Sequence, residues 1–211
     1  MASYVSLDDY RKVRSVPRCS YLAVDNFLNN PDGTREYILT QDFTVRGNYP
    51  GQRTESYATE EMKNLIEKFI QPFAGRITRF PIGNDDGDNY NGDFQYTTSR
   101  DRTWIHNDGW NNWAGVLYLT PDAPSSSGTG FYKHIESGAR TEPEAKLLGI
   151  DKQIGQESQD YTKWELTDKV GNIYNRLILF DATQFHASLD YFGQDKADGR
   201  LFQTFFFSTE I

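Results

Sequence analysis

From about Arg76 onward the chain is a series of short runs rich in aromatic and β-branched residues, each bounded by Gly, Asn, Asp or Ser. The runs are Arg76–Pro81, Asp93–Thr97, Thr103–His106, Ala114–Thr120, Thr129–His134, Ile173–Phe180, Thr183–Ser188 and Arg200–Ser208. About eight strands of this length with turn residues between them predict an antiparallel β body, and a double-sheet jelly roll is the common way to close one. The stretch Ile135–Gly171 is polar, with a helical signal only at Pro143–Leu148, and reads as an excursion between two strands. Residues 1–75 are of mixed character and contain one clear helix. Thr59 caps it, Glu60 and Glu61 favour its positive end, and Pro72 is expected to close it. Met62, Leu65, Ile66, Phe69 and Ile70 recur at the spacing of one buried helical face.

Composition removes several function classes. With 30 acidic against 22 basic residues the net charge is −8, the wrong sign for sequence-independent binding to a phosphate backbone. No apolar run approaches the ~18 residues of a membrane span. The first twenty residues carry Asp8, Asp9, Arg11, Lys12, Arg14 and Arg18 and no apolar core, so no secretory signal is expected. The single cysteine, Cys19, has no partner in the chain; it reads as a small buried hydrophobe and suits a reducing, cytoplasmic setting. The acidic run Asp85–Asp93 does not match an EF-hand loop and reads as a solvated turn rather than a calcium site.

There are three histidines, so any site built on them can be enumerated. His106 is followed two residues later by Asp108; on an extended chain the two side chains point to the same side. His186 follows a buried-looking strand and brings a second imidazole, and two nitrogens with one carboxylate oxygen form the facial triad of non-haem Fe(II) oxygenases. Arg200 opens the aromatic run Leu201–Phe207 fourteen residues later, and a buried guanidinium there calls for an anionic carboxylate. His134 takes no part in the pattern and reads as a surface or structural histidine.

On these residues the sequence resembles the Fe(II)- and 2-oxoglutarate-dependent oxygenases, nearest the prolyl-hydroxylase-like branch. The resemblance spans roughly Asp93 to Ile211, with an echo in Tyr21–Leu28. It implies a mainly β (α+β) fold: a double-stranded β-helix with N-terminal helices packed on one sheet, forming a single oxygenase domain over residues 1–211, with residues 76–211 as the core. It implies His106, Asp108 and His186 as ligands of Fe(II), and Arg200 as partner of the far carboxylate of 2-oxoglutarate. Tyr118 and Tyr96 take positions beside that cosubstrate, and Gly128–Phe131 matches a glycine-containing strand start between the sheets. Arg176 competes with Arg200 but precedes His186, where this branch does not place it. The implied reaction uses O2 and converts 2-oxoglutarate to succinate and CO2 while hydroxylating a small metabolite or a protein or peptide side chain. Asn107, Trp110 and Trp113, beside the first ligands, are the candidate substrate contacts, and the 135–171 excursion is a second candidate for gating. Two alternatives stay open. One is a jelly-roll binding module without chemistry, against which the intact set of four speaks. The other is a cupin-like metal oxygenase that does not use 2-oxoglutarate, which would leave Arg200 without a carboxylate to meet.

Overall fold

A computed structural model describes residues 6–13, 18–83 and 90–211. In chain order the elements are α1 (Leu7–Val13), β1 (Tyr21–Val24), α2 (Pro31–Leu39), β2 (Gln52–Ser56), α3 (Glu60–Ala74), β3 (Ile77–Arg79), β4 (Asp93–Thr97), β5 (Trp113–Tyr118), β6 (Thr129–His134), α4 (Glu142–Leu148), α5 (Asp151–Glu157), β7 (Trp164–Val170), β8 (Leu177–Asp181), β9 (His186–Ser188) and β10 (Arg200–Thr209). One sheet runs β1-β8-β5-β10-β4-β2 with β3 paired to β10; the second runs β7-β6-β9. All the pairings are antiparallel. This is the expected mainly β architecture, two sheets facing each other with helices packed against the larger one.

Two-residue alternation along β10 explains the layering. Leu201, Phe205 and Phe207 join Trp113, Leu117, Leu177 and Leu179 in a core shared with Ile66, Ile70 and Ala74 of α3 and Ile38 of α2. Phe202 and Phe206 turn the other way and meet Phe131, Ile178 and Phe180 between the sheets. Arg200, Phe202, Thr204 and Phe206 therefore share one face, and that face lines a cavity. The core under α3 draws on both the N-terminal segment and the strands after Phe94.

Several sequence expectations are corrected. Pro72 does not close α3: it sits in the last turn, and the helix runs on to Ala74, with Gly75 (φ 73°) as the cap. A proline so near the C-terminus costs one hydrogen bond, and packing of the Ile66–Ile70–Ala74 face holds the turn. Thr103–His106 is not a strand. Only His106 bridges to a neighbour, while Ile105 N–H donates to the Ser158 carbonyl. The run 173–180 begins as a turn at Asn175 (φ 61°), whose side chain clasps the Leu28 main chain from both sides. Stretch 135–171 is no loose excursion. Its end is β7, paired to β6 along its whole length, and α4 and α5 pack Ala145 and Ile154 against Tyr132, Trp164 and Phe185. The polar outer face of β7, exposed from Glu165 to Lys169, is what hid it in the sequence. Residues 85–89 of the Asp85–Asp93 run lie outside the described residues. Among the described residues no helix is long and apolar enough to cross a membrane.

Ile66 is fully buried where α3 meets the larger sheet. Ile66→Ala should lower unfolding free energy by about 2–5 kcal/mol, read as a shifted denaturant midpoint with an unchanged slope.

Candidate metal centre

The site is assembled by main-chain bonds before any ligand is considered. His106 and His186 exchange hydrogen bonds, N–H to carbonyl, at 3.0 and 2.8 Å, which ties the loop before β5 to β9. Asp108 N–H donates to the Ala182 carbonyl at 2.7 Å, and Ala182 N–H to that of Asn112 at 2.9 Å. The turn carrying His186 is held in its turn by Asp181, whose Oδ1 accepts from Thr183 N–H (3.0 Å) and Oγ1 (2.6 Å), while Oδ2 takes an ion pair from Arg18.

These bonds bring the three predicted ligands together. The potential ligand atoms of His106, Asp108 and His186 all lie within 4.8 Å of one another. His186 Nε2 is 3.2 Å from Asp108 Oδ2, His106 Nε2 is 4.0 Å from Asp108 Oδ1, and the imidazole centroids are 4.4 Å apart. Each Nδ1 faces a main-chain carbonyl, Trp104 at 3.0 Å and Gln184 at 2.9 Å. A carbonyl can only accept, so Nδ1 carries the proton and each Nε2 presents a lone pair to the shared point. Burial, reinforced by the neighbouring His186, holds His106 below the ordinary histidine range and so uncharged. Burial alone would raise Asp108, but its polar neighbours His186, His106 and Arg53 hold its carboxyl below the usual range. This donor set fits a divalent iron-type ion.

The triad opens into a cavity of about 210 Å³ whose wall also includes Arg200, Arg53, Gln95, Thr129, Trp110 and Phe206. Arg200 is buried (1% exposed) on the first residue of β10. Its Nε donates to the Ser127 carbonyl at 2.8 Å and its guanidinium carbon lies 4.3 Å from the Phe202 ring centroid, yet Nη1 has no partner. A buried, unpaired guanidinium N–H is costly, and a ligand carboxylate would satisfy it. The approach of the Ser127–Gly128 carbonyls depends on glycine: a Cβ at Gly128 would meet the Val170 carbonyl oxygen at 1.8 Å. The competing arginine, Arg176, is engaged elsewhere, in a two-pronged ion pair with Asp25 at 2.6 and 2.9 Å.

Other expectations divide by strand alternation. Tyr118 faces the intersheet space, 5.3 Å from Arg200, with its hydroxyl 2.8 Å from Thr129 Oγ1; burial pushes its phenol up. Tyr96 is not brought to the cavity: it lies on the helix side of β4, edge-on to Phe43 at 5.1 Å. Trp113 is likewise in the helix-side core, because β5 alternates and it is Ala114 that faces the cavity. Trp110 does line the cavity, packed on Phe206 at 5.0 Å. Asn107 lies outside it, accepting from Gly109 N–H at 3.0 Å. No residue of 135–171 lines this cavity; Glu142, Asp151 and Ile154 line a neighbouring pocket together with His106 and Asn107. His134 is fully buried and structural, bound to Ser137 (2.8 Å) and Glu157 (2.7 Å). Cys19 is half-buried and burial holds its thiol protonated. Arg53, Gln95, Tyr49 and Tyr90 were not singled out in the sequence. The alternation Arg53-Thr54-Glu55 on a strand that looks wholly polar carried no signal to find them.

The sequence model of a family described as "Family of unknown function (DUF6445)" matches residues 11–207. No curated protein matches the chain. Solved structures share its fold. HygX from Streptomyces hygroscopicus with nickel and 2-oxoglutarate bound has a TM-score of 0.60 at 11% identity, over 91% of this chain and 84% of that one. HygX with nickel, 2-oxoglutarate and hygromycin B bound gives 0.57 at 10% identity over the same shares. A prolyl hydroxylase from Trichoplax adhaerens, in complex with a hypoxia inducible factor oxygen degradation domain peptide fragment, gives 0.50 at 13%, covering 90% of this chain and 84% of that one.

Two outcomes follow from this geometry. His186→Ala should abolish Fe(II) binding in anaerobic calorimetry; unchanged affinity would remove the triad assignment. Asp93, buried at the start of β4 and facing Arg53 and Glu55, has its carboxyl pushed up to about 7, chiefly by burial. Its folded-state pKa thus lies above the unfolded value of about 3.9, so stability present below pH ~4 is lost as pH rises through ~7. Denaturant midpoints of Asp93→Asn should lack that decline.

Proposed function

The chain belongs to the DUF6445 family, and we propose that it is an Fe(II)- and 2-oxoglutarate-dependent oxygenase that hydroxylates a small metabolite or a protein or peptide side chain. The observation that carries this reading is one cavity holding two imidazoles and a carboxylate around a shared point, with the unpartnered Nη1 of buried Arg200 in the same wall. The fold shared with HygX, solved with nickel and 2-oxoglutarate bound, supports it.

In this reading His106, Asp108 and His186 would hold the iron, and Arg200 would hold the far carboxylate of 2-oxoglutarate. When bound, iron and cosubstrate supply O2-dependent oxidation, with 2-oxoglutarate leaving as succinate and CO2. The protein's own work is positional. The Trp104 and Gln184 carbonyls fix each imidazole so that its lone pair points inward. Asp108 is kept ionised and ready to ligate. Arg200, gripped by Ser127 and stacked over Phe202, presents its remaining N–H groups without reorganising. Phe180, Phe202 and Phe206 make the wall apolar, which excludes water and strengthens each charge contact. Trp110, half exposed at the wall, is a substrate contact. Charge balance agrees: +2 for iron, −1 for Asp108, −2 for the cosubstrate and +1 for Arg200 sum to zero, so a buried site is tolerable. The core shared by the N-terminal helices and the strands supports one working domain over residues 1–211. A lone, half-buried Cys19 suits a reducing, cytoplasmic setting in which iron stays ferrous.

Anaerobic addition of Fe(II) and 2-oxoglutarate should produce a weak visible charge-transfer band. Arg200→Gln should weaken 2-oxoglutarate about 10- to 100-fold while leaving Fe(II) affinity unchanged. A folded, iron-loaded protein without the band would overturn the cosubstrate and leave the metal-only or binding-module readings.

A further inference from the structure

Arg53 is the charged side chain of the cavity wall that this reading leaves without a task. Strand register puts it there. Arg53 pairs opposite Gln95 of β4, and Gln95 opposite Phe202 of β10, so the three side chains share the cavity face. Two strand spacings place Arg53 about 10 Å across the sheet from Phe202, toward the β2 edge, whereas Arg200 lies farther along β10 itself. The cavity therefore has a guanidinium on two separate parts of its wall.

The head of Arg53 is fixed but not neutralised. It is 7% exposed, Nε donates to Gln95 Oε1 at 2.7 Å, and its guanidinium carbon lies 3.9 Å from the Tyr49 ring centroid and 4.8 Å from that of Tyr90. Among the described residues no carboxylate comes within ion-pair distance of it, and neither Nη has a hydrogen-bond partner. The acidic groups whose charge it feels most are Asp93, which does not line the cavity and is held largely protonated below about pH 7, and Asp108. Burying a guanidinium against two rings with no carboxylate in ion-pair contact gains the fold little, so the arrangement is a prepared anion site.

The charge count sets the kind of anion. Iron, Asp108, 2-oxoglutarate and Arg200 sum to zero, and Arg53 adds +1 while Asp93 is protonated. A monoanion restores balance; a phosphate monoester, at about −1.5 to −2, overshoots it. We propose that Arg53 is the specificity-determining residue of the cavity, its two free Nη groups taking a carboxylate of the primary substrate as a bidentate pair. The inference rests on the oxygenase reading and names its substrate class, carboxylic acids anchored at the β2 side and directed toward His106, Asp108 and His186.

Trp104 and Trp110 line the same cavity, so their fluorescence reports its occupancy. The full chain, anaerobic and saturated with Fe(II) and 2-oxoglutarate, is titrated with propionate through hexanoate, with the matching primary amides and with alkyl phosphates of the same lengths. The acids should saturate the signal, and the amides and phosphates should not. Arg53→Gln should weaken the acids about 10- to 100-fold, Arg53→Lys less, and both should keep the 2-oxoglutarate band at its wild-type midpoint. Should Arg53→Gln fold poorly by melting temperature, Arg53→Lys, which keeps the charge but not the fork, carries the comparison. Amides or phosphates binding as well as acids, a wild-type chain that binds none of the acids, or Arg53→Gln binding them normally would each overturn the proposal. So would loss of the 2-oxoglutarate band in Arg53→Gln but not in Arg200→Gln, which would make Arg53 the cosubstrate anchor. The same titration without metal separates the two readings. A wild-type chain with no charge-transfer band that still selects acids through Arg53 would refute the oxygenase and leave this site standing.

Discussion

The reciprocal hydrogen bonds between the main chains of His106 and His186 are the contact on which the site depends. His106 is on a loop with no strand of its own, so nothing else in the hydrogen-bond ladder fixes it beside β9. The bridge does what a fourth strand of the smaller sheet would do, over a single residue pair. Because the neighbouring Asp108 and Ala182 main chains are also joined, the loop cannot slide without breaking several buried bonds at once. Three candidate ligand side chains from two distant segments are thereby held close together by backbone bonds that involve none of their side-chain donor atoms.

The second constraint is the burial of charge in an apolar barrel. Arg200 and Arg53 occupy the same cavity face, and each is held by its Nε on a neutral acceptor and by aromatic rings rather than by a carboxylate. This leaves their terminal N–H groups available, at the cost of desolvation that a ligand must offset. Asp25 shows the contrasting arrangement, closing both prongs on Arg176 and leaving it nothing to offer. Which arginine is available is a matter of which one lacks a carboxylate neighbour.

Legibility followed the physics of each element. Strands with one buried face and one cavity face, such as β4 and β6, were read with their observed limits, because alternation of apolar and polar residues is local. β7 and β2 escaped because their side chains are mostly polar; what makes them strands is pairing to β6 and β4. Pro72 misled because local helix-breaking chemistry was outweighed by the packing of Ile66, Ile70 and Ala74. The family resemblance puts Tyr96 in the site and adjacency to the ligands puts Trp113 there, yet each stands one residue out of phase with the cavity face.

The sequence by itself singled out the candidate ligand set and the residue types that make it up. His106, Asp108, His186 and Arg200 are distinguishable from the chain alone by type, order and the strands around them. Tertiary structure decided which side chains share the cavity, which arginine remains unpaired, and that a second cation, Arg53, stands in the same wall. The reason is that strand phase and cross-strand register are non-local: a one-residue shift sends a side chain to the other face of the sheet, and only the assembled pairings fix that phase.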